Sequence, residues 1–227
     1  MSDRRMTRWM GPLGLAILIL LFVGFGPLSG KNPGENASGT SVVSYYNTHQ
    51  GQGWAQLYVI ALGLALLVLF VSQLRRVLRG AEDKGGPLPS VVYAAGILFA
   101  GGLIASGGVD HMALLLAAHN HQAAIAQNLN FVSANNELPL IFGMALLTLA
   151  TGVAILTRSA LPKWLGWVSI VIGVVCVAGP IGFFGVLAGG VWLPVLGFVI
   201  GARAKSAPQG SINEISEVVV VIDEVIT

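Results

Sequence analysis

Charge is what this chain has least of. Only 10% of its 227 residues are Asp, Glu, Lys or Arg, against about 25% in a soluble domain. Hydrophobic residues make up 55%, and the mean hydropathy is +0.78. A soluble core of this size cannot hide that much apolar surface, so the composition predicts an integral membrane protein. There is one cysteine, Cys176, and it lies in an apolar run. It excludes an intrachain disulfide, says nothing about redox compartment, and reads as a small core or lipid-facing residue. Neither HExxH nor paired CxxC spacing occurs. The net charge of +2 comes without basic clusters interleaved with aromatics, so nucleic acid is excluded as a partner.

What is present is a series of long apolar runs. A helix needs about 20 apolar residues to cross the hydrocarbon. Runs at about 11–27, 54–74, 89–118 and 138–157 approach or meet that length. A fifth, 164–202, is about twice one span and holds Pro180 between Gly179 and Gly182 near its middle. The sequence therefore predicts an all-α, polytopic membrane helix bundle with six transmembrane helices, the last two at 164–179 and 182–202, joined by a short turn.

Cation placement supports the even count, because loops on the cytoplasmic side of a membrane are rich in Lys and Arg. Arg4, Arg5 and Arg8 precede the first span; Arg75, Arg76, Arg79 and Lys84 follow the second. Arg158 and Lys163 lie between the fourth and fifth, and Arg203 and Lys205 follow the sixth. With six spans all eleven fall on one side, and only Lys31 falls on the other. The expected location is the cell membrane, multi-pass, with both termini cytoplasmic. A basic start before an apolar stretch also describes a signal peptide. "FGPLSGKNP" offers no clean small-x-small cleavage pattern, so the first span is read as retained.

The first outer loop, 29–53, is polar and glycine-rich. Tyr45, Tyr46 and Trp54 close it and suit a membrane interface. "NAS" at Asn36 matches a glycosylation sequon, which has meaning only in a secretory pathway with that machinery. Residues 206–227 read as a flexible acidic cytoplasmic tail: a linker, "SAPQGS", then "EISEVVVVIDEVIT" with Glu214, Glu217, Asp223 and Glu224. No internal repeat emerges. The 30 glycines fit helix association at small residues. Gly96, Ala100, Gly101, Ala105 and Gly108 mark small faces on the third helix, and Gly185-x-x-x-Gly189 and Gly197-x-x-x-Gly201 mark the last. Packing within the chain is the plain reading, and a homo-oligomer through these glycine-rich faces the bolder one.

One stretch resists a purely lipid-facing account. "SGGVDHMALLLAAHNHQ", residues 106–122, places Asp110 and His111 side by side and adds His119 and His121. A helix entering at Pro89 covers about 30 Å by Val109 at 1.5 Å per residue, which puts Asp110 and His111 near the outer boundary. On a continuous helix His111 and His119 are about 80° and about 12 Å apart, and Asp110 and His119 lie on opposite faces. One helix cannot gather these groups around a metal. A metal at His119 and His121 would need a break near Asn120 and a third ligand such as His49 or Glu137. Haem between helices would need two facing histidines in spans, and only His111 qualifies; no cofactor is predicted. Residues 119–136 read as a helical extension or amphipathic outer cap. Asn136 reads as N-cap of the fourth span, with Glu137 in its first turn. The candidate polar rim is thus Asp110, His111, His119, His121 and Glu137, with His49 from the neighbouring loop.

The loop "YYNTHQGQGWAQLY", the span end "FVSQLRRVLR", the polar loop after the third span and "LPKWLGWVSIVIGVV" followed by "GPIGFF" together resemble small six-span bacterial membrane proteins of a domain-of-unknown-function family. The resemblance covers roughly residues 9–205 and implies a six-helix bundle with no assigned activity. Three functional expectations remain. The first is a structural or partner-binding membrane protein in the lipid bilayer. The second is a small transporter or channel-like protein moving protons or cations past Asp110 and His111. The third is a membrane enzyme with a metal site on the outer rim. Transport demands a wet cavity reaching Asp110, and metal chemistry demands three ligands around one point.

Overall fold

The computed structural model describes residues 7–30, 32–80, 86–158 and 161–206. The acidic tail beyond residue 206, with Arg4, Arg5, Lys31 and Lys84, lies outside the described residues. Within them all regular structure is helical: α1 (Met10–Phe25), α2 (Gly39–Thr48), α3 (Gln50–Arg79), α4 (Leu88–Ile104), a π-helical turn (Ala105–Val109), α5 (Asp110–His119), α6 (Ala123–Asn135), α7 (Leu138–Arg158), α8 (Lys163–Cys176), a 3₁₀ turn (Gly179–Ile181) and α9 (Gly182–Ser206). Four helical stretches are long and apolar enough to cross a membrane: α3, the α4–α5 rod, α6 with α7, and α9. Helices α1 and α8 are apolar but shorter, at 16 and 14 residues.

The large helices form a closed ring in the order α1, α3, α4, α7, α8, α9 and back to α1. Neighbours run antiparallel, and glycine sets how close they come. A Cβ on Gly14 of α1 would sit 2.8 Å from Pro194 Cα and 2.9 Å from Leu193 O of α9. Gly197 meets the Met10 carbonyl, and a Cβ on Gly201 would lie 3.3 Å from Arg8 O, so the end of α9 lies beside the start of α1. Gly24 faces Ile60 and Gly63 faces Leu21, which joins α1 to α3. Gly96 sits on Val71, Gly143 on the Phe99 backbone, Gly152 on Ile170 and the Gly166 carbonyl, and Gly185 on Cys176. These contacts bring backbones together where hydrophobic transfer between lipid and helix gains little. The glycines at 96, 185, 189, 197 and 201 all face this chain's own helices, whereas Gly101 has open space around it.

Large side chains fill the ring's interior. Phe70 and Phe99 are buried there with Met10, Ile17, Leu67, Leu74, Met144, Leu147 and Ile155. Leu15, Ile19, Phe22, Leu62, Leu69, Leu98, Leu146, Val171, Val174 and Phe198 lie exposed on the outside, as expected of a surface solvated by hydrocarbon. Thr148, Thr151 and Ser169 are buried yet cost little, because each hydroxyl donates to the carbonyl one turn back in its own helix.

A second, smaller cluster caps one end. Helix α2 packs on α5 and α6 through Val42, Val43, Tyr46, Leu114, Leu115, Ala117, Ala118 and Ala126. Here the structure corrects the sequence reading in three places. The polar loop 29–53 contains helix α2, whose N-terminus is capped by Ser38 Oγ accepting from Ser41 N at 3.4 Å. Tyr46, expected at a lipid interface, is 5% exposed inside this cluster. The third span is not one α-helix: the π turn at Ala105–Val109 interrupts it. The turn at Gly179–Ile181, with Gly179 at φ 68°, matches the expected reversal between the last two apolar helices.

Charge is sorted between the two ends. Arg8, Arg75, Arg76, Arg79, Arg158, Lys163, Arg203 and Lys205 all belong to the end where α1 starts and α9 finishes, while Glu35, Asp110 and Glu137 belong to the capped end. Arg75 is tied down there: its guanidinium lies 5.1 Å from the Tyr93 ring centroid and its Nη2 is 3.5 Å from Ser90 Oγ.

The glycine contacts predict an asymmetry that thermal melting of the detergent-solubilised protein can measure. Gly14→Ala forces a methyl into the Pro194 backbone and lowers stability by about 1–3 kcal/mol, the usual cost of overpacking. Gly101→Ala meets open space and leaves the melting temperature unchanged or raised.

Candidate functional site at the bundle rim

The level of the rim follows from packing. Phe25, the last residue of α1, covers Gly107 of the π turn, and Pro139 at the start of α7 covers Gly102. Asp110 and His111 therefore stand where α1 has ended and α7 is beginning, at the junction between ring and cap. The π turn matters to their roles. It adds a residue to the helical repeat and so turns α5 relative to α4; the two neighbours, about 100° apart on α5, then face different elements.

Asp110 is half-buried, and Asn136 Nδ2 donates to its Oδ2 at 2.7 Å. The same amide reaches Ala105 O at 3.3 Å. Asn136 is thus not the N-cap expected from sequence. It closes α6 and clamps the π turn, while the Glu137 carbonyl accepts from Ile141 N to open α7. Glu137 itself is exposed.

His111 points into the cap. It is 7% exposed, and its Nε2 has no hydrogen-bond partner among the described residues. Tyr46 meets it edge to face at 5.7 Å between ring centroids. From α3, Gly53 comes so close that a Cβ there would stand 3.3 Å from His111 Nε2 and 2.7 Å from Leu115. His111, Tyr46, His49, Gln52, Gln56 and Ser29 share the lining of a small cavity of about 10 Å³, roughly the space of one water molecule. Gln56, 6% exposed, also lies on it. Burial pushes the Tyr46 hydroxyl up to about 12 from its usual 10.0, helped by neighbouring Tyr45.

Of the remaining histidines, only His49 reaches this cavity. His49 stacks on Tyr45 at 4.3 Å and its Nδ1 lies 2.9 Å from Tyr45 O. His119 is exposed, with Nδ1 3.5 Å from Gln50 Nε2. The chain does break after Asn120, with His121 at φ 55°. That break aims no third ligand at His119 and His121. Among the described residues no three His, Cys, Asp or Glu side chains gather in a metal-holding group. Of the six rim residues, the structure brings His111 and His49 to one cavity and leaves Asp110, His119, His121 and Glu137 apart from it. Sequence reasoning gave Tyr46 and Asn136 other places and passed over Gln56. The signal for Tyr46 was its spacing from Val42 and Val43, one helical turn apart after a Ser cap.

Sorted by its geometry, the rim is a polar joint between two apolar clusters, inside an all-helical protein with membrane-length apolar helices. Comparison with protein-family models, with curated proteins and with solved structures finds no match for this chain.

Two measurements probe the joint. An imidazole buried without a partner gives up little when replaced by an apolar group of similar bulk. His111→Leu is therefore expected to melt at or above the wild-type temperature, while His111→Lys, which buries an unpaired charge, melts well below it. A loss of more than about 1 kcal/mol in His111→Leu would show that the ring has a polar partner. Tyr46 gives a pH signature. Its hydroxyl ionises at higher pH folded than unfolded, so the stability it contributes is complete below pH 10 and fades as pH rises toward about 12. Alkaline melting curves of Tyr46→Phe should lack that fall.

Proposed function

We propose that this chain is a six-crossing integral membrane protein that serves as a sealed, partner-binding scaffold, with its basic end in the cytoplasm and its cap outside. The observation that carries this reading is the closed ring with a core filled by Phe70, Phe99, Met144 and Leu147. Six crossings follow from adding α1 and α8 to the four long apolar helices. At 1.5 Å per residue α8 is only about 21 Å long. It nevertheless starts beside the C-terminus of α7 and hands over to Gly182, which lies against Ile141 near the other end of α7. The hydrocarbon is about 30 Å thick, and the turn at Gly179–Ile181 and flanking residues supply the remainder.

Cation sorting supports the orientation. Basic residues favour the cytoplasmic side of a membrane, and all eight described cations lie at one end. The conduit reading has less support. Asp110, which would have to meet water along a path between helices, instead accepts a hydrogen bond from Asn136. The metal-enzyme reading needs three gathered ligands, and the rim histidines do not supply them.

Reporter cysteines test the orientation, since the native Cys176 is buried. A membrane-impermeant maleimide should label His121→Cys in intact cells and Arg79→Cys or Arg203→Cys only after permeabilisation. Labelling of Arg203→Cys in intact cells would refute the even number of crossings. Separately, proteoliposomes holding the purified protein should show the same proton and cation leak as empty ones; a flux abolished by Asp110→Asn would overturn the sealed reading.

A further inference from the structure

The basic end carries a feature that the scaffold reading does not use. Between α1 and α3 lies a crevice of about 310 Å³, lined by Trp9, Pro12 and Leu13 on one side and Leu69 and Gln73 on the other. That is the size of a small ligand pocket. Trp9 is 63% and Leu69 is 55% exposed, so the crevice opens on the outer, apolar surface of the ring and not into its core. Its one polar element is Gln73. This side chain is 6% exposed and lines the crevice, and its amide makes no hydrogen bond among the described residues. An amide lining an apolar crevice offers both donors and an acceptor to whatever enters it.

The sequence of chemistry along both walls is the same. On α3, Leu69 is followed one turn later by Gln73, and Arg76 comes most of a turn beyond that on the same face. On α1, Pro12 and Leu13 are preceded one turn earlier by Arg8 and Trp9. Moving toward the basic end, a ligand would meet apolar walls, then an amide, then two guanidinium groups. That order matches a phospholipid read from its acyl chain through its ester carbonyl to its phosphate. Arg presents a fork of donors suited to phosphate, and Trp favours the level of the headgroups.

We propose that the α1–α3 crevice is a binding site for one anionic phospholipid of the leaflet on the basic side. An acyl chain lies against Pro12, Leu13 and Leu69, an ester carbonyl accepts from Gln73, and Arg8 and Arg76 hold the phosphate. The placement of the site does not depend on the bundle being a sealed scaffold, since a conducting or catalytic bundle would carry the same crevice.

The test is native mass spectrometry of the full chain in mild detergent, after delipidation and titration with phosphatidylglycerol or phosphatidylcholine. One phosphatidylglycerol per chain should bind in preference to phosphatidylcholine. Each arginine near a membrane surface is worth about a fivefold change in binding of an anionic lipid. The Arg8→Ala, Arg76→Ala pair should therefore lose most of the preference, while Arg203→Ala, at the same end but off the crevice, keeps it. Gln73→Leu should weaken both lipids, and Leu69→Trp, which fills the crevice, should block both. Circular dichroism checks that each variant remains helical. The two arginine positions are exposed, so they report even where the crevice-filling variant fails to fold. No stoichiometric lipid on the wild-type chain would overturn the proposal, as would equal losses from Arg203→Ala and the Arg8, Arg76 pair.

Discussion

The fold depends on backbone approach between antiparallel helices. In lipid the hydrophobic effect cannot pull apolar helices together, so the contact surface must come from shape. Gly14 against Pro194, Gly197 against Met10, Gly96 against Val71 and Gly143 against Phe99 are places where a single methyl has no room. Pro194 belongs to this logic. A proline inside a helix removes one backbone hydrogen bond, and Pro194 in α9 is seated where α1 offers a glycine. Once these approaches are fixed, Phe70, Phe99 and Met144 have a defined interior to fill, and the exposed Leu, Val and Phe side chains are left to lipid.

The cap is built on different physics. Its cluster of Val42, Val43, Tyr46, Leu114 and Leu115 is an ordinary amphipathic core of short helices, supplemented by polar ties. Asn47 Nδ2 reaches Ala118 O at 3.1 Å, Asn130 Nδ2 reaches Gly34 O at 3.1 Å, and Gln52 Nε2 reaches Leu28 O at 3.1 Å. Asp110 and His111 sit where the two regimes meet. One neighbour is hydrogen-bonded to the linker before α7, and the other is enclosed beneath α2. Adjacent in sequence, they answer separate structural demands, which is why neither gathers the other rim residues around it.

The apolar runs, the reversal at Gly179–Ile181 and the sorting of cations were legible because each rests on a one-dimensional property: length, turn chemistry or charge. Partners were not. That Asn136 would turn away from capping α7 toward Asp110 depends on a π turn whose sequence, "ASGGV", reads equally well as an uninterrupted helix rich in small residues. Helix α2 was hidden by its loop's polar composition, although Ser38 and the Val42, Val43, Tyr46 spacing were visible in it. The amide of Gln73 offered no signal, because a glutamine near the end of an apolar helix reads as the start of the wet boundary until the neighbouring helix is known to bury it.

The π turn also sets the rotational phase of α5 against the ring. One residue rotates a helix by about 100°, so a change in chain length at Ala105–Val109 would swing the whole face of α5 and carry His111 and Leu115 away from Gly53 and Tyr46. The chain length at this turn is therefore fixed by the cap that α5 completes, whereas contacts such as Gly14 with Pro194 and Gly197 with Met10 place no such demand on it.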